Sequence, residues 1–184
     1  MSRPIVLATS NPAKRAQLRW LLASLPLDPL EVPALEVAET AADLAGNAAA
    51  KAVAYSSGGL AIASDGGLEV PALGERWNPL LTRRQGQAGL RRLASGLEDR
   101  RVRWSEAVAL AEDGRLLATW TASGTEGELA PEPWPAAGEF WVWDVFYFSE
   151  LGKVWSQLTE DERVRVDRTW LTLRREVQAF FRAR

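Results

Sequence analysis

Strands alternating with helices, an α/β order, is what the sequence predicts. Three observations point to it. Residues 5–8 (Ile-Val-Leu-Ala) form a short apolar run that breaks at Thr9-Ser10-Asn11-Pro12. Leu18, Leu21, Leu22 and Leu25 then recur at i, i+3, i+4 and i+7, one face of a helix. A second apolar run, residues 60–63, reads as a buried strand that stops at Ser64-Asp65-Gly66-Gly67 and resumes over residues 68–70.

Each element has a local reason. Asn11 suits a helix N-cap and Pro12 a first helical position. Strand, polar turn and helix in this order point backbone N–H groups and a helix dipole at an anion. Lys14 falls in the first turn, where a cation opposes the dipole. A bound phosphate resolves that conflict, and a solvated surface lysine is the plainer reading. Residues 26–33 form a connection with a strand-like tail at 35–37. Glu39 and Asp43 open a second helix that runs to about Tyr55, where they share a face or simply serve the dipole. Ser57-Gly58-Gly59 ends it. At the break after residue 63, Asp65 has backbone on both sides, and glycine lets main chain approach a phosphate or metal; Asp-Gly is equally a common turn.

Residues 71–79 are irregular, and residues 80–97 read as a helix bearing Arg83, Arg84, Arg91 and Arg92. Residues 101–111 and 116–125 form a hairpin around Glu112-Asp113-Gly114-Arg115. A Pro-rich stretch, residues 131–138, precedes an aromatic strand over residues 140–148. One acid interrupts it, Asp144, either a site residue or a solvent-facing residue of an edge strand. Two helices, residues 159–166 and 169–181, finish the chain, the last with Trp170, Leu173, Val177, Phe180 and Phe181 on one face.

Composition narrows the chemistry. The 184 residues are enough for one well-buried domain, residues 1–184. A formal net charge of −2 gives no electrostatic reason to bind nucleic acid, and no apolar run is long enough to span a membrane. The N-terminus lacks the apolar region of a signal peptide, so a cytoplasmic location is expected. With no Cys and no His, thiol nucleophiles, disulfides, His/Cys zinc sites and Ser-His-Asp triads are excluded. Carboxylates with few other ligands suit a hard ion such as Mg²⁺.

The order of these pieces resembles the inosine triphosphate pyrophosphatase family, which hydrolyses non-standard purine nucleoside triphosphates such as ITP, dITP and XTP. Ala8-Thr9-Ser10-Asn11-Pro12-Ala13-Lys14 matches its opening A-T-x-N-x-x-K, and Gly46-Asn47-Ala48-Ala49-Ala50-Lys51-Ala52 is similar to its E-N-A-x-x-K-A, with Glu39 where an upstream acid falls. Ser64-Asp65-Gly66-Gly67-Leu68-Glu69-Val70-Pro71-Ala72-Leu73-Gly74 is similar to D-D-S-G-L-E-V-x-A-L-G. Residues 81–86 keep Arg83 of S-A-R-Y-A-G, Trp141-Val142-Trp143-Asp144-Val145 echoes F-G-Y-D-P, and residues 152–163 echo G-K-T-x-A-E-L-x-x-E-E-K. The departures are Gly46 and Ser64 for acids, Gly66 for a serine, Val142 for a glycine, Arg163 for a lysine, and Asp167-Arg168-Thr169 where the family has S-H-R.

The resemblance implies an α/β fold with a long twisted mixed sheet flanked by helices, two lobes around a cleft, and a homodimer. It implies hydrolysis between the α- and β-phosphates to a nucleoside monophosphate and pyrophosphate. Glu39 and Asp65 would hold Mg²⁺, with Asp65 as metal ligand or general base. Thr9, Ser10, Asn11, Lys14 and Lys51 would hold the triphosphate. Gly66, Arg83, Asp144, Arg163 and Arg168 would line the substrate, and Trp141 and Trp143 would either stack on the base or pack in the core. The rewritten S-H-R end leaves two alternatives open: a nucleotide-binding relative without turnover, and a house-cleaning pyrophosphatase for another modified nucleotide.

Overall fold

Large and small apolar residues alternate along the central strands, and this decides which helix packs on which face. The computed structural model describes residues 2–137 and 141–183. In chain order the elements are β1 (Arg3–Leu7), α1 (Pro12–Leu22), β2 (Leu27–Leu30), α2 (Leu44–Tyr55), β3 (Leu60–Glu69), α3 (Leu81–Ala94), β4 (Arg101–Glu112), β5 (Arg115–Leu129), β6 (Phe146–Phe148), β7 (Lys153–Val154), α4 (Glu160–Val166) and α5 (Arg168–Arg182). Among the described residues, seven strands form one mixed sheet in the order β2-β1-β3-β4-β5-β6-β7. β1 runs parallel to β2 and β3, while β6 is antiparallel to β5 and β7.

Contacts divide the chain into two compact units. The first comprises the residues up to Asp65, Glu106–Ala122 and those from Trp170 onward; the second comprises Gly66–Ser105 and Ser123–Thr169. In the first unit Leu60, Ile62, Val108 and Leu110 join Ile5, Leu7, Leu18, Leu21, Trp170, Leu173 and Val177 in one core. The intervening Ala63, Ala107, Ala109 and Ala111 pack with Ala8 and with Ala48 and Ala52 of α2. A period of two thus builds a bulky face under α1 and α5 and an alanine face under α2. Small side chains let α2 lie close to the strands. The second unit has an aromatic core that includes Trp77, Trp104, Trp134, Trp141, Phe146, Phe148 and Trp155.

Several expected elements hold. Asn11 caps α1, its Oδ1 accepting from the N–H groups of Ala13 and Lys14, with Pro12 first in the helix. The hairpin turns at Asp113 and Gly114, with φ of 50° and 76°, the left-handed pair that a two-residue turn demands. Thr159 caps α4, and α5 carries its apolar face as the spacing predicts.

Other expectations are corrected. The strand after α1 is Leu27–Leu30, and residues 35–37 lie in no regular element. Pro29 is tolerated because β2 ends the sheet order. The second helix begins at Leu44 with Asp43 as N-cap, so Glu39 stands outside it and shares no helix face with Asp43. β3 does not stop at Ser64 but continues through Asp65-Gly66-Gly67 to Glu69. A Cβ on Gly67 would overlap the Pro79 carbonyl oxygen, so glycine here serves close backbone approach and not a turn. The helix expected over residues 80–97 is α3, which is shorter and breaks at Gly86, where φ is 60°. The aromatic strand is a 3-10 turn, Trp141–Asp144, followed by the short β6; Phe140 lies outside the described residues.

Two expected outcomes follow from these contacts. Gly67→Ala destabilises the protein by roughly 1–3 kcal/mol, because the new methyl overpacks against backbone, read as a lower Tm in thermal unfolding. Glu162 accepts hydrogen bonds from Lys153 Nζ (2.7 Å) and from the Thr159 N–H (2.8 Å). The Lys153 bond first, then the Thr159 bond, holds its carboxyl at about 2, below the ordinary 4.5. The stability this gives is present above pH 4.5 and is lost as pH falls through about 2. Glu162→Gln flattens that acid limb in a plot of Tm against pH.

Candidate active site

Asp65 ends the first unit's share of β3 and is 9 % exposed. A buried carboxylate is stable only when it is paired and hydrogen-bonded, and α2 supplies both. Asn47 and Lys51 stand four residues apart on one helix face. Asn47 Nδ2 donates to Asp65 Oδ2 at 3.1 Å, and Lys51 Nζ donates to Oδ1 at 3.1 Å. Asn47 Oδ1 accepts from the Ala41 N–H at 3.1 Å, which ties the loop before α2 to the same point. That loop explains Gly46: a Cβ there would meet the Ala41 Cβ at 2.6 Å.

Lys14 reaches the cluster from the first turn of α1. Its Nζ lies 3.7 Å from Asp65 Oδ1, 3.7 Å from Glu106 Oε1 and 3.4 Å from the Ser64 carbonyl oxygen. It is therefore not a solvated surface lysine; carboxylates answer the cation that the helix dipole disfavours. Glu39 joins from the loop through Lys51, 2.7 Å away. The first unit thus gathers Glu39, Asp65, Lys14 and Lys51, four residues that the resemblance names, into one cluster, and adds Asn47 and Glu106. For Glu106 the sequence offers only a lone acid before the run Ala107 to Ala111, which does not say what it faces. Glu39 and Asp65 are the hard oxygen donors with which this cluster would hold a divalent cation, while Glu106 faces Lys14.

The turn before α1 is otherwise occupied. Thr9 Oγ1 accepts from the Asn11 N–H at 3.2 Å, Asn11 Oδ1 is engaged as the cap, and the Arg15 N–H bonds to the Asn11 carbonyl oxygen at 3.0 Å. The helix N–H groups expected to face an anion are satisfied within the chain. The side-chain donors at this turn are Lys14, the exposed Ser10 and the Asn11 amide nitrogen.

In the second unit the expected site residues are spread over separate elements. Gly66 lies in β3, Arg83 is exposed on α3, Arg163 is exposed on α4, and Asp144 is half-buried in the 3-10 turn. Trp141 belongs to the aromatic core. Trp143 stacks on Trp155 at 4.9 Å and packs against Trp104 at 4.7 Å. Packing accounts for both rings. Arg168 lines a cavity of about 580 Å³ with Arg101, Arg103, Glu126, Arg165 and Phe148.

Asp167 and Thr169, in place of the S-H-R signature, are structural. Thr169 is fully buried; its Oγ1 accepts from the Gly124 and Thr125 N–H groups at 3.1 and 3.0 Å and donates to the Trp104 carbonyl oxygen at 3.0 Å. Thr125 Oγ1 donates to Asp167 Oδ1 at 3.1 Å. These bonds pin the start of α5 to β4 and β5.

A mixed α/β sheet that holds a buried carboxylate, midway along β3, between two lysines has the chemistry to handle a charged ligand. The chain belongs to the Ham1 family, whose profile matches residues 5–174. It is 34% identical over 173 residues to a Gloeobacter violaceus protein named dITP/XTP pyrophosphatase, covering 90% of this chain and 88% of that one. The fold matches a HAM1 protein from Coxiella burnetii with a TM-score of 0.75 at 25% identity, over 99% of this chain and 100% of that chain. It matches the Staphylococcus aureus Ham1 protein with a TM-score of 0.72 at 22% identity, over 98% and 99% of the two chains. The motif resemblance and the mixed sheet flanked by helices both hold.

Replacing Trp143 tests its packing role directly. Trp143→Ala is expected to cost about 3 kcal/mol in chemical denaturation, since it unstacks Trp104 and Trp155 at once.

Proposed function

We propose that this chain hydrolyses non-standard purine nucleoside triphosphates, ITP, dITP and XTP, to the nucleoside monophosphate and pyrophosphate. The observation that carries the proposal is the convergence of Lys14, Lys51 and Asn47 on buried Asp65. These positions coincide with the motifs of the resembled family, and the name of the Gloeobacter violaceus relative supports the substrate class.

The residues suit the chemistry. A triphosphate carries about four negative charges near neutral pH, and Lys14 and Lys51 offset part of that charge where it grows in the transition state. Thr9, Ser10 and the Asn11 amide border the phosphate end. Asp65 orients a water and takes up its proton. The water oxygen bonds to the α-phosphorus as the α–β bridging P–O bond breaks, and pyrophosphate leaves.

Mg²⁺ is the cation this reading includes. No three Asp or Glu side chains among the described residues form a ready cage. An ion of this kind ordinarily takes one or two carboxylates and completes its shell with water and substrate phosphates, so Glu39 and Asp65 fit as its protein ligands. When bound it polarises the phosphates. Gly66, Arg83, Asp144, Arg163 and Arg168 remain candidates for nucleotide contact on their motif positions. A homodimer and a cytoplasmic location belong to the same reading; among the described residues no helix is long and apolar enough to cross a membrane.

A second reading, a house-cleaning pyrophosphatase for another modified nucleotide, is favoured by one observation. Asp167 Oδ1 accepts from Thr125, and Thr169 Oγ1 bonds to Gly124, Thr125 and Trp104, at positions where the resembled family carries S-H-R. The purified protein, incubated with Mg²⁺ and ITP, XTP, dITP, dUTP, ATP and GTP, is expected to release pyrophosphate from the first three. Asp65→Asn lowers that rate by about 100-fold or more. Release from dUTP alone would favour the second reading, and release from none, with folded protein, would overturn both in favour of a binding relative without turnover.

A further inference from the structure

Glu106 is a buried acid to which the proposed chemistry assigns no task. It is 2 % exposed and stands in β4, next to β3 in the sheet. Its Oε1 lies 3.7 Å from Lys14 Nζ, the same distance that separates Nζ from Asp65 Oδ1. Lys14 therefore straddles two carboxylates and is drawn tightly to neither. Lys51 behaves differently: it makes close pairs with Glu39 at 2.7 Å and with Asp65 at 3.1 Å.

The balance matters when a cation arrives. A divalent ion at Asp65 has to share that carboxylate with the ammonium groups on it, Lys51 at 3.1 Å and the more loosely held Lys14 at 3.7 Å, and like charges at contact distance repel strongly in a poorly solvated site. A buried ammonium that loses its partner is costly. Lys14 already has a second carboxylate within reach. The cluster described here also holds three carboxylates, Glu39, Asp65 and Glu106, against two ammonium groups, Lys14 and Lys51. That leaves one formal negative charge, a field that favours a cation.

We infer that Glu106 is a positioning residue of this centre: it retains Lys14 when Asp65 takes up a divalent cation, so that lysine and cation do not compete for one carboxylate. The inference rests on the proposed cation at Asp65. It also gives the departure at Ser64 a counterpart, since the negative charge missing from β3 is supplied by β4.

The test is Mn²⁺ titration of the full chain by calorimetry without nucleotide, a readout separate from turnover. Glu106→Gln is expected to weaken Mn²⁺ binding about tenfold or more, and Glu106→Asp to restore part of the loss. Lys14→Gln/Glu106→Gln is expected to bind Mn²⁺ more tightly than Glu106→Gln, because the competing ammonium is gone; a merely structural role for Glu106 gives no such rescue. Wild-type affinity in Glu106→Gln, or no rescue in the double variant, overturns the inference. Should Glu106→Gln fail to fold by circular dichroism, Lys14→Gln alone decides: affinity equal to or above wild type supports the inference, and a drop overturns it. Asp65→Asn separates the two levels. Loss of Mn²⁺ binding there with wild-type binding in Glu106→Gln removes only the role of Glu106. Undiminished binding in Asp65→Asn, or none in the wild type, removes the cation placement and the inference with it.

Discussion

The charge on Asp65 is the constraint on which the first unit depends. A carboxylate buried to this degree must be compensated, or folding carries an uncompensated buried charge. Two helices meet that demand. α2 delivers Asn47 and Lys51 from one face, and α1 delivers Lys14 from its first turn. The same groups that make Asp65 tolerable in the fold are the ones on which the proposed chemistry draws. Stability and chemistry share one set of contacts here.

The contacts are possible because of what lies beneath them. Alanines at 63, 107, 109 and 111 leave room for α2 to settle close to the sheet, and Ala48 and Ala52 complete the fit. Bulkier residues on that face would hold the helix away and lengthen the reach of Asn47 and Lys51. Gly46 belongs to the same logic. The loop that carries Glu39 to Lys51 crosses the start of α2 at Ala41, and a side chain at 46 would collide with it. What looks in the sequence like the loss of an acid is, in the structure, space for another acid to arrive.

The second unit follows a different principle. Trp143 stacks on Trp155 and packs against Trp104; Asp167 and Thr169 take hydrogen bonds from β5, Thr169 also donates to the Trp104 carbonyl oxygen in β4, and Arg168 stays exposed. Thr169 is the centre of that junction. Two of the three positions that depart from the S-H-R pattern thus serve internal hydrogen bonding, while the Asp65 cluster keeps its charged groups.

Much of this was legible in the chain itself. The Asn11-Pro12 start of α1, the Asp113-Gly114 turn and the apolar face of α5 are local matters, settled by capping, by left-handed backbone and by side-chain spacing. Six motifs in order sufficed to identify the family and to pick Lys14, Lys51, Glu39 and Asp65. The sequence alone could not show that β3 runs on past Asp65, because Asp-Gly-Gly has the local signature of a turn; only the carbonyl of Pro79 against Gly67 explains those glycines as strand. Nor could it single out Glu106, whose significance lies in a lysine 92 positions away in the chain and 3.7 Å away in space. Propensity and spacing act over a few residues and are written in the sequence directly. Charge compensation and close packing act between distant segments, and they exist only once the strands and helices have been brought together.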